Sequence, residues 1–111
     1  MDSWVEEFPS AITVCDNQGI ILSMNGKSAK SVAKDGGKAL IGTNLFDCHP
    51  GESGIKLKKV LEGQQKNIYT IEKNGQKKLI YQSPWYLEGQ FQGFVELSIE
   101  LPPNLPHFVR S

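Results

Sequence analysis

The chain has 111 residues and a formal net charge of zero, with 12 Lys plus Arg set against 12 Asp plus Glu. That length suits one domain able to bury a core without disulfide or metal staples. Balanced charge argues against a nucleic-acid partner, which wants a basic face, and no apolar run approaches the roughly 18 residues of a membrane span. The acidic start, MDSWVEEF, lacks a signal-peptide core. The expectation is a cytoplasmic protein whose two cysteines, Cys15 and Cys48, are free thiols.

Ser3-Trp4-Val5-Glu6 has the form of a capping box, with Ser3 as N-cap and Glu6 at N3. It predicts a short helix that ends before Pro9 and carries Trp4 and Phe8 on one face. AITVCD and IILSM, split by Asn17-Gln18-Gly19, predict a β-hairpin. Gly26 to Gly37 predicts a weak helix, with Ala29, Val32 and Ala33 at helical spacing and a stop at Asp35-Gly36-Gly37. Short helical turns around Gly42 follow, as far as Cys48. Gly51 to Gly63 predicts a longer helix with Ser53 as N-cap, a stripe of Leu57, Val60 and Leu61, and Gly63 as its stop.

NIYTIEK and QKKLIYQSPWY then flank Asn74-Gly75, a strong two-residue hairpin signal. Such a loop pairs Lys73 with Gln76, hence Glu72 with Lys77, Thr70 with Leu79 and Ile68 with Tyr81. Glu88-Gly89 turns the chain into a last strand, Phe91 to Leu101. There Val95, Leu97, Ile99 and Leu101 alternate with Phe94, Glu96, Ser98 and Glu100, and the aliphatic set is expected to face the core. Pro102, Pro103 and Pro106 disfavour a helix beyond it. The fold class is therefore α+β. A short N-terminal helix caps the chain (1–9). Residues 10–101 form a five-stranded antiparallel sheet, with short helices between strands two and three covering one face. A Pro-rich tail follows (102–111).

That order, with these residues, resembles a PAS domain. FPSAITVCDNQGIILSMN is similar to the opening hairpin of that family, with Asp16, Gly19 and Asn25 on its Asp-x-x-Gly turn and following Asn. ALIGTNLFD resembles the segment whose Gly precedes the short helices of the pocket wall, and EGQFQGFVELSIEL resembles the last hairpin. The likeness spans residues 8 to 101. A narrower likeness, to PAS domains found next to hemerythrin-like domains, rests on Cys48, His49, Pro50 and Glu96. One departure is the final strand, where Ile99-Glu100-Leu101 and then prolines stand in place of Asp-Ile-Thr and a signalling helix. The resemblance implies a sensor and signal-transduction module, a homodimer, and a signalling partner or output domain outside this chain.

The residues themselves exclude several chemistries. Cys48 and His49 are sequence neighbours in a turn, where side chains point apart and no third group orients a base, so no catalytic residue is assigned. Cys48, His49, Asp47 and distant His107 make no recognisable zinc spacing, so no metal site is assigned. A b-type haem needs only one axial histidine and an apolar cavity, which His49 could supply in a PAS pocket. The plainer reading of His49 is a helix-end cap before Pro50. Tyr69, Tyr81, Trp85 and Tyr86 read either as a pocket wall or as ordinary strand packing.

The expected site lies between the sheet and the helices of Gly26 to Gly63. Its ligand-binding residues are Asn25, Cys48, His49, Tyr69, Tyr81, Ser83 and Trp85, for a small organic ligand. The expected dimer interface is Trp4, Val5, Phe8 and Phe94. Two alternatives stand beside the sensor reading: a ligand-free homodimerisation module, and a haem sensor with His49 as axial ligand.

Overall fold

A computed structural model describes residues 3–45 and 52–111, and the side chains of 3–45 and 55–111. Phe46, Asp47, Cys48, His49 and Pro50 lie outside the described residues, so every expectation placed on them stays an expectation. Helix α1 spans Ser3–Glu6. Strands β1, Ala11–Asp16, and β2, Ile21–Met24, form the first hairpin. Helix α2 spans Gly26–Ser31, and two 3-10 turns, Ala33–Asp35 and Gly37–Leu40, follow it. Helix α3 spans Glu52–Gly63. Strands β3, Asn67–Lys73, β4, Gln76–Leu87, and β5, Gln90–Leu101, close the chain. Residues 102–111 form no regular element.

All pairings are antiparallel, in the spatial order β2-β1-β5-β4-β3. The last strand therefore sits in the centre, beside the first. Each hairpin has a local cause. At the first, Asp16 Oδ1 accepts from the amides of Gln18 and Ile20, both at 2.9 Å, and its carbonyl accepts from Gly19. That side chain satisfies the turn's own backbone. At the second, Asn74 and Gly75 both take positive φ, 54° and 78°. The paired register is the one the two-residue loop demands, from Lys73 with Gln76 to Ile68 with Tyr81.

The free edge of β2 is covered by residues 42–45. Ile21 donates to Thr43, Gly42 donates to Ile21, and Leu45 donates to Gly19. Covering an edge removes a template for unwanted strand pairing.

Two helix starts differ from expectation. Helix α1 already includes Ser3, and Glu6 does not close a capping box but forms an ion pair with Lys38. Helix α3 begins at Glu52, so Ser53 lies in its first turn rather than capping it. The stripe of Leu57, Val60 and Leu61 does turn inward, with Leu61 buried.

The larger difference concerns the two faces of the sheet. Residues directly opposite in antiparallel strands share a face. One face carries Ala11, Thr13 and Cys15 of β1, Phe94, Glu96 and Ser98 of β5, Ile80 and Gln82 of β4, and Asn67 and Tyr69 of β3. This face looks onto α2 and α3. The opposite face carries Ile12, Val14, Val95, Leu97, Ile99, Leu79, Tyr81 and Ile68. The aliphatic alternation of β5 therefore points away from the helices, not into the core. The more polar set faces inward, and the more apolar set is left half-buried or exposed on the outside.

Candidate ligand cavity

Between the sheet and the helices lies a cavity of about 680 Å³, inside the range of roughly 300–1,000 Å³ usual for small-ligand sites. Its far end is sealed by a cluster of Cys15, Leu61 and Phe94, with Leu45, Val60 and Phe91 packed against it. Phe91 and Phe94 meet edge to face at 5.8 Å. Tyr69 on the edge strand lines the space while remaining 42% exposed.

The floor is a row of polar side chains running across four strands. Thr13, Glu96, Gln82 and Asn67 stand opposite one another in register on β1, β5, β4 and β3. Asn67 Nδ2 donates to Gln82 Oε1 at 2.9 Å, and Gln82 Nε2 donates to Glu96 Oε2 at 2.8 Å. Thr13 shares a hydroxyl–hydroxyl hydrogen bond with Ser28 of α2, which ties the floor to the helical wall. Apolar groups flank the row: Ala11, Ile80 and Tyr69 on one side, Cys15 and Phe94 on the other.

Two ionisable groups feel this environment. Burial above all pushes the Cys15 thiol upward, and the charges of Asp16 and Glu96 add to that, against a backbone hydrogen bond from Phe94. A raised thiol is a poor nucleophile. Burial, then the charge of Glu96, pushes the Tyr69 phenol upward. Among the described residues no group of His, Cys, Asp and Glu could hold a metal ion.

The residues singled out from the sequence fall in three places. Tyr69 lines the cavity. Tyr81, Ser83 and Trp85 do not: they pair with Leu97, Val95 and Gly93, on the opposite face of the sheet. Trp85 instead sends its indole N–H across β5 to the Cys15 carbonyl of β1, at 3.1 Å. Gly93 permits this tight crossing, since a Cβ there would sit 2.0 Å from the same carbonyl.

Asn25 is fully buried at 0% exposure, but every polar atom it has is spent on backbone. Its Oδ1 accepts from Ile12 and Ser28, each at 3.0 Å, so it caps α2 and pins β1. Its Nδ2 donates to Val5 at 3.0 Å and Ser10 at 2.8 Å, so it holds the N-terminal segment as well. Asn25 thus acts as a structural knot between α2, β1 and the N-terminal segment.

The expected dimer residues divide likewise. Val5 is buried under Asn25's bonds, and Phe94 is a core residue at the cavity's sealed end. Trp4 and Phe8 are exposed, 63% and 42%, and pack edge to face on each other at 5.7 Å. Cys48 and His49 lie outside the described residues.

No family model and no curated protein matches the chain. Solved structures do match it. A C-terminal domain from Streptococcus mutans aligns with a TM-score of 0.74 at 25% identity, covering 89% of this chain and 81% of that one. The PAS domain of an HTR-like protein from Haloarcula marismortui gives 0.63 at 16% identity, covering 89% and 87%. A sensory box sensor histidine kinase from Vibrio cholerae gives 0.66 at 17% identity, covering 88% and 86%. The chain has the PAS fold: a five-stranded antiparallel sheet with short helices on one face. No helix among the described residues is long and apolar enough to cross a membrane.

Proposed function

We propose that this chain is a cytoplasmic sensory module that binds a small ligand in the cavity and signals occupancy to a protein partner, without catalysing a reaction. The observation that carries this reading is the inverted polarity of the sheet. A face that merely filled a core would be aliphatic, yet the inward face presents Thr13, Asn67, Gln82 and Glu96 to an open space. Convergent polar groups on an otherwise apolar wall are what a ligand site needs. The fold's neighbours point the same way: the Vibrio cholerae relative is a sensor histidine kinase, and another is the PAS domain of the histidine kinase ThkA. A ligand signals only if its affinity differs between two states of the protein. Native mass spectrometry of the purified chain, with thermal melts against a panel of small polar compounds, tests this. Melting should rise with a binder in the unmodified chain and not in Ile80→Phe, which fills the cavity. Equal shifts in both would sink the reading.

The outer face supports a second role, homodimerisation. Val95, Leu97, Ile99, Leu79 and Ile12 form a contiguous apolar surface that no described element covers fully, and such surfaces mark interaction sites. Leu97→Lys should convert a dimer to a monomer in sedimentation analysis, whereas a wild-type monomer at high concentration would remove this role. The haem alternative requires His49. The Aer2 receptor from Vibrio cholerae is described as a dual PAS-heme oxygen sensor, and His49 lies outside the described residues here. A haem titration with no Soret shift sensitive to His49→Ala would dispose of it.

A further inference from the structure

Among the described residues, the carboxylate on the cavity floor forms no ion pair. Among the described residues Glu96 meets one partner, the Gln82 amide. The ion pairs lie elsewhere, Lys27 with Glu100 and Lys38 with Glu6. Lys78 and Lys73 also line the space, but they stand four and six residues along β4 and β3 from Gln82 and Asn67. At about 3.3 Å per residue that is roughly 13 Å or more. Lys56 of α3 lines the same space while remaining exposed to solvent.

The direction of the row follows from the acid. An ionised carboxylate only accepts hydrogen bonds. Gln82 must therefore turn its NH₂ toward Glu96 and its carbonyl toward Asn67, and Asn67 must answer with its own NH₂. Besides one remaining N–H on each amide, the row leaves acceptor capacity: the second oxygen of Glu96 and the second lone pair on Gln82 Oε1. The walls beside them, Ile80, Tyr69 and Phe94, are apolar or aromatic.

We propose that the cavity selects a small ligand headed by a protonated nitrogen, an amine or amidine, that donates to Glu96 and Gln82 and lays an apolar body against Ile80 and Tyr69. The proposal rests on the reading of the cavity as a ligand site and adds the charge and donor character of its occupant. A cation at the row neutralises the floor, whereas an anion there would face the Glu96 carboxylate, with Lys73 and Lys78 set further along their strands. Charge-assisted bonds in a partly dry site outweigh neutral ones.

The test uses the full chain, isotope-labelled, titrated with four probes of like size: benzylamine, benzamidine, benzyl alcohol and benzoate. Both cations should shift the side-chain amide signals of Asn67 and Gln82 and bind about tenfold tighter than the alcohol, since a hydrogen bond to a charged group is worth more than a neutral one. Glu96→Gln should abolish that preference. If that variant does not fold, the comparison of charged and neutral probes in the unmodified chain still decides. Binding of benzoate or the alcohol at the same signals, as tightly as the amines, overturns the proposal and leaves the cavity a ligand site. No perturbation by any probe overturns both.

Discussion

Replacing Asn25 by alanine should be among the most damaging single changes in this chain. Asn25→Ala removes an N-cap, which costs about 1 kcal/mol. It also strands the Ile12 amide, whose partner is the Asn25 carbonyl oxygen. A buried donor left without an acceptor costs a further 1–3 kcal/mol, approximately. The carbonyls of Val5 and Ser10 lose their donor as well, which adds about 1 kcal/mol. The sum is about 3–5 kcal/mol, out of a total stability on the order of 5–15 kcal/mol for domains this size. With a urea slope of about 2 kcal/mol/M, the unfolding midpoint should fall by about 2 M. Asn25→Asp separates the parts. It keeps the acceptor for Ile12 and Ser28 but points a carboxylate at two carbonyls. Its folded pKa should be raised, so the variant should be weakest at neutral pH and recover as pH falls. A midpoint shift below about 0.5 M for the alanine variant, with unchanged slope, would refute the claim that Asn25 ties three elements together.

Three further outcomes follow from the same geometry. Gly93→Ala should prevent folding or cost more than about 3 kcal/mol, because the added carbon meets backbone that cannot give way; near-native melting would contradict this. Cys15 should label far more slowly with iodoacetamide in the native chain than in urea, as peptide mapping of that residue can follow, because burial raises its thiol. Tyr69 should titrate late, by phenolate absorbance, and Glu96→Gln should bring it part of the way down, since burial acts first and the Glu96 charge second. The sign fixes the linkage. A pKa raised on folding contributes stability that is complete below the ordinary phenol value of 10.0 and fades as pH climbs through the folded one.

The elements were legible where a few residues dictate backbone geometry. Asn74-Gly75 set the register of β3 against β4 without error. Asp16 with Gly19 set the first turn, and Leu57, Val60 and Leu61 marked the buried side of α3. The face of the sheet was not legible, for two reasons. Alternation separates two faces but does not say which one meets the helices. Moreover, β4 and β5 slip by one residue between Trp85 and Tyr86. Extending the pairing back from the Glu88-Gly89 turn without that slip sets Gln82 against Val95. With the slip it meets Glu96, and the polar row exists. A bulge of this kind has no clear mark in the sequence. The backbone role of Asn25 was not legible either: a lone amide looks the same on paper whether it serves a ligand or the backbone.

The extended backbone of β5 is a partition only one peptide thick. Glu96 looks into the cavity, while its chain neighbours Val95 and Leu97 look out of the other side. On the proposed reading, a torsional adjustment at Glu96 would reach the apolar surface directly, with no intervening layer to absorb it. Reception and display would then stand one strand's width apart.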